Sequence, residues 1–305
     1  MKGFPKFNQK SYLLLALIAI SLVVLFSDLI VRDAIKKDII LASPFEGLQQ
    51  FEYPILKNNF TVKITAGGAI IMDSDSKTVL FAKNPNLRFS SASTAKIMTA
   101  ITALSYFSLN DLLTVKNSTV EGSVLGLKKG QKMTFENLLY GLLLPSANDT
   151  AVAIAQNFNE NENAFVKKMN QNARQFNLFN THFEDPAGLL DDSNYTTPLD
   201  LARLASVALE NKTFKKVVAT KQKTIFDSEG QEYPVKNLNK LLGINGVEGV
   251  KTGFTEGAGE VLVTSKLEGN HTIIIVVMGS QDRFGDTEKL LGLLSNNVTY
   301  LSIHP

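Results

Sequence analysis

Residues 90–107 read SSASTAKIMTAITALSYF, a segment that is almost wholly apolar after its first few polar residues. A helix that is apolar on all sides lies buried at the centre of a domain. Ser93 and Lys96 stand at its start, and their i, i+3 spacing places both side chains on one face. The N-terminus of a helix also offers backbone N–H groups and a positive potential to an oxyanion. The segment predicts a central helix that begins with a candidate nucleophile and its base.

The S-x-x-K pattern occurs twice, at Ser74/Lys77 and at Ser93/Lys96. The first pair lies between two short apolar runs, 67–71 and 78–82, which predict a β-hairpin with a polar turn. Serine is common in such turns because its hydroxyl bonds to the nearby backbone, so we interpret Ser74 as a turn residue. For Lys96 to act as a base, its pKa must fall from about 10.4 to about 7–8, which burial and neighbouring cations can achieve.

A second short motif, Ser146-Ala147-Asn148, directly follows Pro145 at a break between two apolar helices. Proline must end or kink the first of these helices. The polar break either presents Ser146 and Asn148 to a cleft or supplies a cap for the next helix, for which Asn148 and Asp149 are the candidates.

The chain contains one K-T-G sequence, Lys251-Thr252-Gly253, on a run that is rich in β-forming residues. An ideal pleat turns Lys251 and Gly253 to one face of the strand and Thr252 to the other. We expect an edge strand that lines a groove, where Gly253 lets a substrate backbone approach closely.

The order of predicted elements is a hairpin, a helical block, a set of strands and a closing helix. The hairpin cannot bury both of its faces alone. We therefore expect it to join the strands predicted at 249–254, 261–265 and 272–278 in one sheet, which is an α/β domain of the α+β type.

Composition excludes several classes of protein. With 31 Lys+Arg against 29 Asp+Glu and no basic block, the chain does not look like a nucleic-acid binder. The absence of Cys excludes a thiolate metal site and a Cys nucleophile. Three scattered His make a zinc enzyme improbable, and no Gly-x-Ser-x-Gly elbow is present. A Ser-Lys site is then the main option for a hydrolase.

The amino terminus predicts a membrane anchor. Residues 11–27 carry no charge, residues 29–31 extend the apolar run, and three lysines precede it, at 2, 6 and 10. About 20 apolar residues span a bilayer. We expect a cytoplasmic tail at 1–10, a signal anchor at 11–31 and a juxtamembrane stalk at 32–62. A cleaved signal peptide is the alternative, and the charges flanking the run leave its orientation open.

In this order the three motifs resemble those of the penicillin-recognising serine enzymes. Longer segments narrow the resemblance to the D-alanyl-D-alanine carboxypeptidase family, the low-molecular-mass penicillin-binding proteins, over about residues 65–295. They are NPNLRF (84–89) leading to STAKIMT (93–99), LLLPSANDTAVAIA (142–155), FVKKMNQNARQFNLFNTHFEDPAGL (165–189) and GVKTGFTEGAGEVLVTS (249–265). The resemblance implies a β-lactamase/DD-peptidase-like fold, with a five-stranded, mainly antiparallel sheet and an all-helical subdomain, and a catalytic domain at 63–300.

The resemblance also implies a role for each catalytic residue. Ser93 would attack the penultimate D-Ala carbonyl and form an acyl-enzyme, while Lys96 would take the proton of Ser93. Ser146 would relay a proton towards the leaving amine, and Lys251 would support that relay electrostatically. No metal or cofactor is implied.

The remaining implied roles concern binding. Asn148 would hydrogen-bond the peptide part of the substrate, and Thr252 would bind its terminal carboxylate. The backbone N–H groups of Ser93 and Phe254 would form the oxyanion hole beside Gly253. Arg283 matches a family arginine near the substrate carboxylate. The expected partners are peptidoglycan stem peptides and β-lactam antibiotics, and the expected location is the bacterial cell membrane, with the catalytic domain outside the cytoplasm.

Two departures from the family pattern stand out. The family often has a C-terminal β-rich domain and a C-terminal amphipathic anchor, and we expect neither here. Ala187 also stands where the family commonly has His.

Three alternative functions remain open. A DD-endopeptidase that cuts peptide cross-links uses the same residues. A class A β-lactamase needs a general-base Glu in an E-x-x-L-N setting, which we do not find between residues 148 and 251. An inactive peptidoglycan-binding membrane protein is disfavoured by the intact motifs.

Overall fold

The computed structural model describes residues 21–22, 51–58, 61–117 and 120–303. Residues 52–302 form one compact unit. The described residues 21–22, 51 and 303 lie outside this unit. The predicted tail and most of the predicted anchor lie outside the described residues. No helix within the described ranges is long and apolar enough to cross a membrane.

The described strands and helices are labelled in chain order. The strands are β1 (Phe51–Leu56), β2 (Gly68–Asp73), β3 (Val79–Lys83), β4 (Phe89–Ser90), β5 (Leu112–Thr114), β6 (Lys132–Thr134), β7 (Tyr195–Thr196), β8 (Gln222–Phe226), β9 (Glu232–Lys236), β10 (Val247–Thr255), β11 (Gly259–Glu268), β12 (His271–Ser280) and β13 (Val298–Ile303). The helices are α1 (Lys96–Leu104), α2 (Phe135–Leu143), α3 (Asn148–Asn157), α4 (Glu162–Gln175), α5 (Pro198–Glu210), α6 (Lys212–Val218) and α7 (Arg283–Leu294).

A five-stranded antiparallel sheet with the order β10-β11-β12-β2-β3 organises the unit. The opening hairpin, β2-β3, joins the late strands through β12, where Ile275 pairs with Ile71. This confirms the predicted single sheet. The strand that carries K-T-G, β10, lies at the edge of the sheet as expected.

Side chains that alternate along the central strands form two buried clusters, one on each face of the sheet. Ile70 of β2 and Ile274 of β12 pack with the helices that follow Ser93. Their neighbours Ile71 and Ile275 pack with Leu290 of α7 on the opposite face. Because both faces of these strands are buried, the strands read as continuous apolar runs.

Two helices begin with a threonine side-chain cap. Thr134 accepts a hydrogen bond from the Asn137 N–H at the start of α2, and Thr197 caps α5 in the same way, with Pro198 at the first helical position.

The predicted cap of α3 is wrong. The N-cap residue of α3 is Ala147. The Asp149 carboxylate instead accepts hydrogen bonds from the N–H groups of Leu125, Gly126 and Leu127, so it satisfies the amides of a neighbouring loop.

Two further expectations need correction, and one helix has no counterpart in the sequence analysis. Residues 51–56, within the range expected to be a stalk, form β1 and pair with β13; that partner lies at the other end of the chain, so no local pattern could reveal it. The helical region is not purely helical, because it includes the two-stranded sheets β4-β7 and β5-β6. Helix α6 was not predicted.

Candidate active site

The Ser93 and Lys96 side chains meet at the start of α1. Residues 92–95 form a 3-10 turn and the α-helix begins at Lys96, so Ser93 precedes the α-helix instead of lying in its first turn. Lys96 Nζ lies 2.8 Å from Ser93 Oγ, 2.7 Å from Asn148 Oδ1 and 2.8 Å from the Ala187 carbonyl oxygen. A neutral amine has two N–H groups and one lone pair. The two N–H groups can donate to Asn148 Oδ1 and to the Ala187 carbonyl oxygen, and the lone pair can then accept a hydrogen bond from the Ser93 hydroxyl.

The environment of Lys96 favours this neutral form. The side chain is fully buried, and burial lowers its pKa from 10.5 to about 7, although the negative charge of Asp185 works in the opposite direction. A base that serves at neutral pH needs a pKa in this range.

Asn148 is oriented by contacts on both sides. Its Nδ2 donates to the Glu121 carbonyl oxygen at 2.6 Å, and its backbone N–H donates to the Ser123 carbonyl oxygen at 2.7 Å. With the amide nitrogen held by Glu121, Oδ1 is directed towards Lys96.

The loop at residues 185–190 provides the third acceptor for Lys96. Asp185 Oδ1 accepts hydrogen bonds from the Ala187 and Gly188 N–H groups at 2.7 and 2.6 Å, and both carboxylate oxygens contact the Leu189 N–H. This fixes the Ala187 carbonyl. Gly188 has a positive φ of 78°, and a Cβ there would lie 1.9 Å from the Ala92 carbonyl oxygen, so only glycine allows the loop to close on the turn before Ser93.

The edge strand β10 forms the opposite wall. A Cβ on Gly253 would lie 3.1 Å from the Ala92 Cβ and 3.3 Å from the Ser93 nitrogen. The missing side chain therefore lets β10 approach the turn that carries Ser93. Arg283, the first residue of α7, donates from Nη1 to the Gly253 carbonyl oxygen at 2.8 Å.

Lys251 is buried close to Lys96 and Arg283. Its Nζ donates to the Thr252 carbonyl oxygen at 2.9 Å. Burial holds the pKa of Lys251 well below its usual value, and repulsion from Arg283, and from Lys96 when that amine is protonated, lowers it further. Lys251 is thus electrostatically coupled to the Ser93–Lys96 pair.

The remaining predicted site residues are Ser146, Thr252 and Phe254. Ser146 has a left-handed backbone (φ 64°), and its buried Oγ has no hydrogen-bond partner among the described residues. Such a conformation is uncommon for a non-glycine residue and is concentrated at functional sites. Thr252 is buried, whereas the Phe254 side chain is 61% exposed.

Sequence patterns did not identify two residues that contribute to the site. Asp185 organises the loop whose carbonyl contacts Lys96, and its Asp-Pro-x-Gly setting is a turn signal that could have revealed it. The Ala187 carbonyl has no sequence signal, since every residue carries that group.

The family model described as D-alanyl-D-alanine carboxypeptidase (peptidase S11) matches residues 56–282. The chain belongs to this family of serine peptidases. It is 32% identical over 237 residues to a D-alanyl-D-alanine carboxypeptidase of Bacillus subtilis, covering 74% of this chain and 61% of the relative. It is 35% identical over 251 residues to a D-alanyl-D-alanine carboxypeptidase of Streptomyces sp. strain K15, covering 75% and 86%. The chain thus spans about three fifths of the Bacillus relative.

Solved structures of the family agree with the fold. The crystal structure of the Streptomyces K15 DD-transpeptidase superposes with a TM-score of 0.73 at 34% identity, covering 77% of this chain and 98% of that one. The α/β penicillin-binding protein-like fold, with its five-stranded sheet and helices, is therefore confirmed.

Proposed function

We propose that this protein is a serine-type D-alanyl-D-alanine carboxypeptidase that removes the terminal D-Ala from peptidoglycan stem pentapeptides through an acyl-enzyme on Ser93. One observation carries the proposal. The buried Lys96 amine, with a pKa of about 7, lies 2.8 Å from Ser93 Oγ. A serine paired with a base that is neutral at physiological pH is an activated nucleophile.

In the acylation step, Ser93 Oγ attacks the carbonyl of the penultimate D-Ala while Lys96 Nζ takes the hydroxyl proton. The negative charge develops on the carbonyl oxygen, and the backbone N–H groups of Ser93 and Phe254 stabilise it. A donor of this kind is typically worth about 2.7–4 kcal/mol. The close approach of Gly253 to the Ser93 nitrogen supports this pairing of donors.

Departure of the terminal D-Ala requires a proton on its amine. The Ser146 hydroxyl relays this proton, and its buried Oγ lacks a competing partner among the described residues. Lys251 supports the relay because its charge state is coupled to that of Lys96. Water then attacks the acyl-enzyme and releases the shortened peptide.

Recognition of the free carboxylate of the substrate falls to Thr252 and Arg283. The guanidinium of Arg283 uses Nη1 for the Gly253 carbonyl, and its buried Nε has no hydrogen-bond partner among the described residues. A carboxylate at this end of the cleft meets the positive charge of the Arg283 guanidinium. Asn148 binds the peptide on the other side of the scissile bond. The β-lactam antibiotics acylate the same Ser93 as inhibitors.

The purified protein tests the reaction when it is incubated separately with a muropeptide pentapeptide and with cross-linked muropeptide dimers. Release of free D-Ala from the pentapeptide by the wild type, and none by Ser93→Ala, supports the carboxypeptidase. Loss of dimers without D-Ala release supports an endopeptidase; a Pseudomonas aeruginosa relative that is 29% identical is named a D-alanyl-D-alanine endopeptidase. Release of D-Ala at the same rate by Ser93→Ala contradicts the assignment.

We also propose that residues 11–31 anchor the protein in the bacterial cell membrane, with the catalytic domain at 63–300 outside the cytoplasm. The uncharged run at 11–27 supports the anchor. The orientation is supported by the proposed substrate, because peptidoglycan lies outside the cytoplasm. Cell fractionation combined with protease treatment of intact protoplasts tests it. A membrane-bound protein that the protease degrades from outside is expected; a protein recovered in the cytosolic fraction contradicts the proposal.

A further inference from the structure

We propose that Asp191 is a positioning residue that sets the spacing between the two halves of the oxyanion hole, an inference that rests on the function proposed above. One half is the backbone N–H of Ser93, at the turn before α1. The other is the backbone N–H of Phe254, near the end of β10. Asp191 belongs to neither segment, and it directly follows the loop at residues 185–190.

The Asp191 carboxylate joins the two segments directly. Its Oδ1 accepts a hydrogen bond from Ser90 Oγ at 2.7 Å and a second one from Thr255 Oγ1. Its Oδ2 accepts a hydrogen bond from the Gly257 N–H at 3.2 Å. A Cβ on Gly257 would lie 2.8 Å from Asp191 Oδ2, so the β10–β11 turn closes tightly around this carboxylate.

The Ser90 and Thr255 hydroxyl oxygens also accept hydrogen bonds from backbone N–H groups. The Ala92 N–H donates to Ser90 Oγ at 3.5 Å, and the Ala258 N–H donates to Thr255 Oγ1 at 3.1 Å. Ala92 has a left-handed φ of 44° and directly precedes Ser93. Thr255 directly follows Phe254. A single carboxylate therefore connects the residues that flank each of the two donors.

The spacing matters because an oxyanion hole works by fixed geometry. Its donors must lie about 2.7–3.1 Å from the position that the oxyanion will occupy, and a displacement of about 1 Å can lower a rate about 100-fold. Pairing with β11 holds one side of the edge strand β10. That pairing does not set the distance from β10 across to Ser93, whereas the hydrogen bonds of Asp191 span this gap.

The variant Asp191→Asn keeps the size of the side chain but replaces one acceptor oxygen with an NH₂ group. We expect the rate of acylation by penicillin to fall about 10- to 100-fold, with little change in thermal stability or in non-covalent affinity. The matched control is Asp192→Asn, which changes the exposed neighbouring carboxylate and should acylate at the wild-type rate.

A second readout separates positioning from general structural support. A thiocarbonyl sulfur is a weak hydrogen-bond acceptor, so an intact oxyanion hole favours an ester substrate over the matching thionoester. We expect this preference to shrink in Asp191→Asn and to be unchanged in Asp192→Asn. The single variants Ser90→Ala and Thr255→Val should each lower the rate, and their effects should be smaller when combined with Asp191→Asn.

The outcomes distinguish this inference from the proposed function. A wild-type protein that penicillin does not acylate contradicts the function itself. If the wild type is acylated and Asp191→Asn keeps both the rate and the thionoester ratio, Asp191 has no positioning role. A lower rate with an unchanged thionoester ratio also overturns the inference. If Asp191→Asn fails to fold, Ser90→Ala and Thr255→Val carry the same test.

Discussion

At the scale of single residues, the proposed mechanism depends on the protonation state of Lys96. A protonated amine cannot accept the Ser93 proton, so the site depends on the burial that lowers the pKa of Lys96 to about 7. The three polar contacts of Nζ come from three different segments, at Ser93, Asn148 and Ala187. Correct folding of all three segments is thus a condition for an active base.

The pH dependence of acylation follows from this pKa. As pH falls below about 7, the neutral fraction of Lys96 should drop about tenfold per pH unit, and the acylation rate should drop with it. Above pH 7 this amine is mostly neutral, so the acylation rate should reach a plateau. Stopped-flow acylation by a chromogenic β-lactam between pH 5 and 9 measures the profile.

Lys96→Met should abolish acylation, whereas Lys77→Met, in the other S-x-x-K pair, should keep the same profile. A flat profile across pH 6–8 would contradict the role of Lys96.

Asp185 gives a prediction with a definite sign. Its negative charge raises the pKa of Lys96 against the effect of burial, so Asp185→Asn should move the midpoint of the acylation profile to lower pH. The plateau rate should also fall, because the carboxylate holds the Ala187 and Gly188 N–H groups. The pH profile of the variant, measured beside that of Asp192→Asn, checks both effects. A midpoint that moves to higher pH would be incompatible with this account.

At the scale of elements, the site forms where neighbouring segments pack closely because a glycine leaves no side chain at the contact. The loop at residues 185–190 packs against the turn at 92–95 through Gly188, and β10 packs against the same turn through Gly253. The residues that flank these contacts supply the carbonyl for Lys96 and the second oxyanion donor.

Gly188→Ala tests the first of these contacts. Alanine at a positive φ costs about 1–2 kcal/mol, and its Cβ would also overlap the Ala92 carbonyl oxygen. We expect a loss of acylation of at least 100-fold and a lower melting temperature. Gly230→Ala is the matched control, because Gly230 also has a positive φ (87°) but nothing lies within 4 Å of its Cβ position. Its acylation rate should be unchanged. Equal acylation rates in the two variants would contradict the packing argument.

The elements also show what the sequence could predict. Two of the three motifs lie where local patterns placed them: Asn148 after the Pro145 break, and Lys251 on an edge strand. Ser93 lies in a 3-10 turn just before the helix that the pattern predicted it to begin. Patterns failed where a distant partner decides the structure. Strand β1 needs β13, the Asp149 carboxylate satisfies the loop at 125–127 instead of capping α3, and the loop at 185–190 acts on Lys96 through a backbone carbonyl.

At the scale of the whole molecule, the described catalytic residues lie within the compact unit formed by residues 52–302. The charge pattern of the first 31 residues is the basis for the proposed membrane anchor. The sequence predicts an anchor followed by an enzyme domain, and it places the start of that domain about ten residues after the start of the compact unit, because β1 lies in the range expected to be a stalk.

This separation predicts that residues 1–50 are not needed for the chemistry. A protein that begins at Phe51 retains β1, the sheet and the described site residues, so it should be acylated by labelled penicillin within about twofold of the full-length rate. A protein that begins at residue 63 loses β1 and should have a lower melting temperature. Comparing both proteins with the full chain in detergent makes the measurement. A large loss of acylation on removal of residues 1–50 would show that the site depends on them.

We propose that Ser93 is the residue that penicillin acylates, and mass spectrometry can identify the modified residue. The intact protein is incubated with penicillin and digested, and the modified peptide is sequenced, beside Ser93→Ala and the matched variant Ser74→Ala from the other S-x-x-K pair. We expect one penicilloyl group on Ser93 in the wild type and in Ser74→Ala, and none in Ser93→Ala. An unmodified wild type, or Ser93→Ala labelled to the same extent, would contradict it.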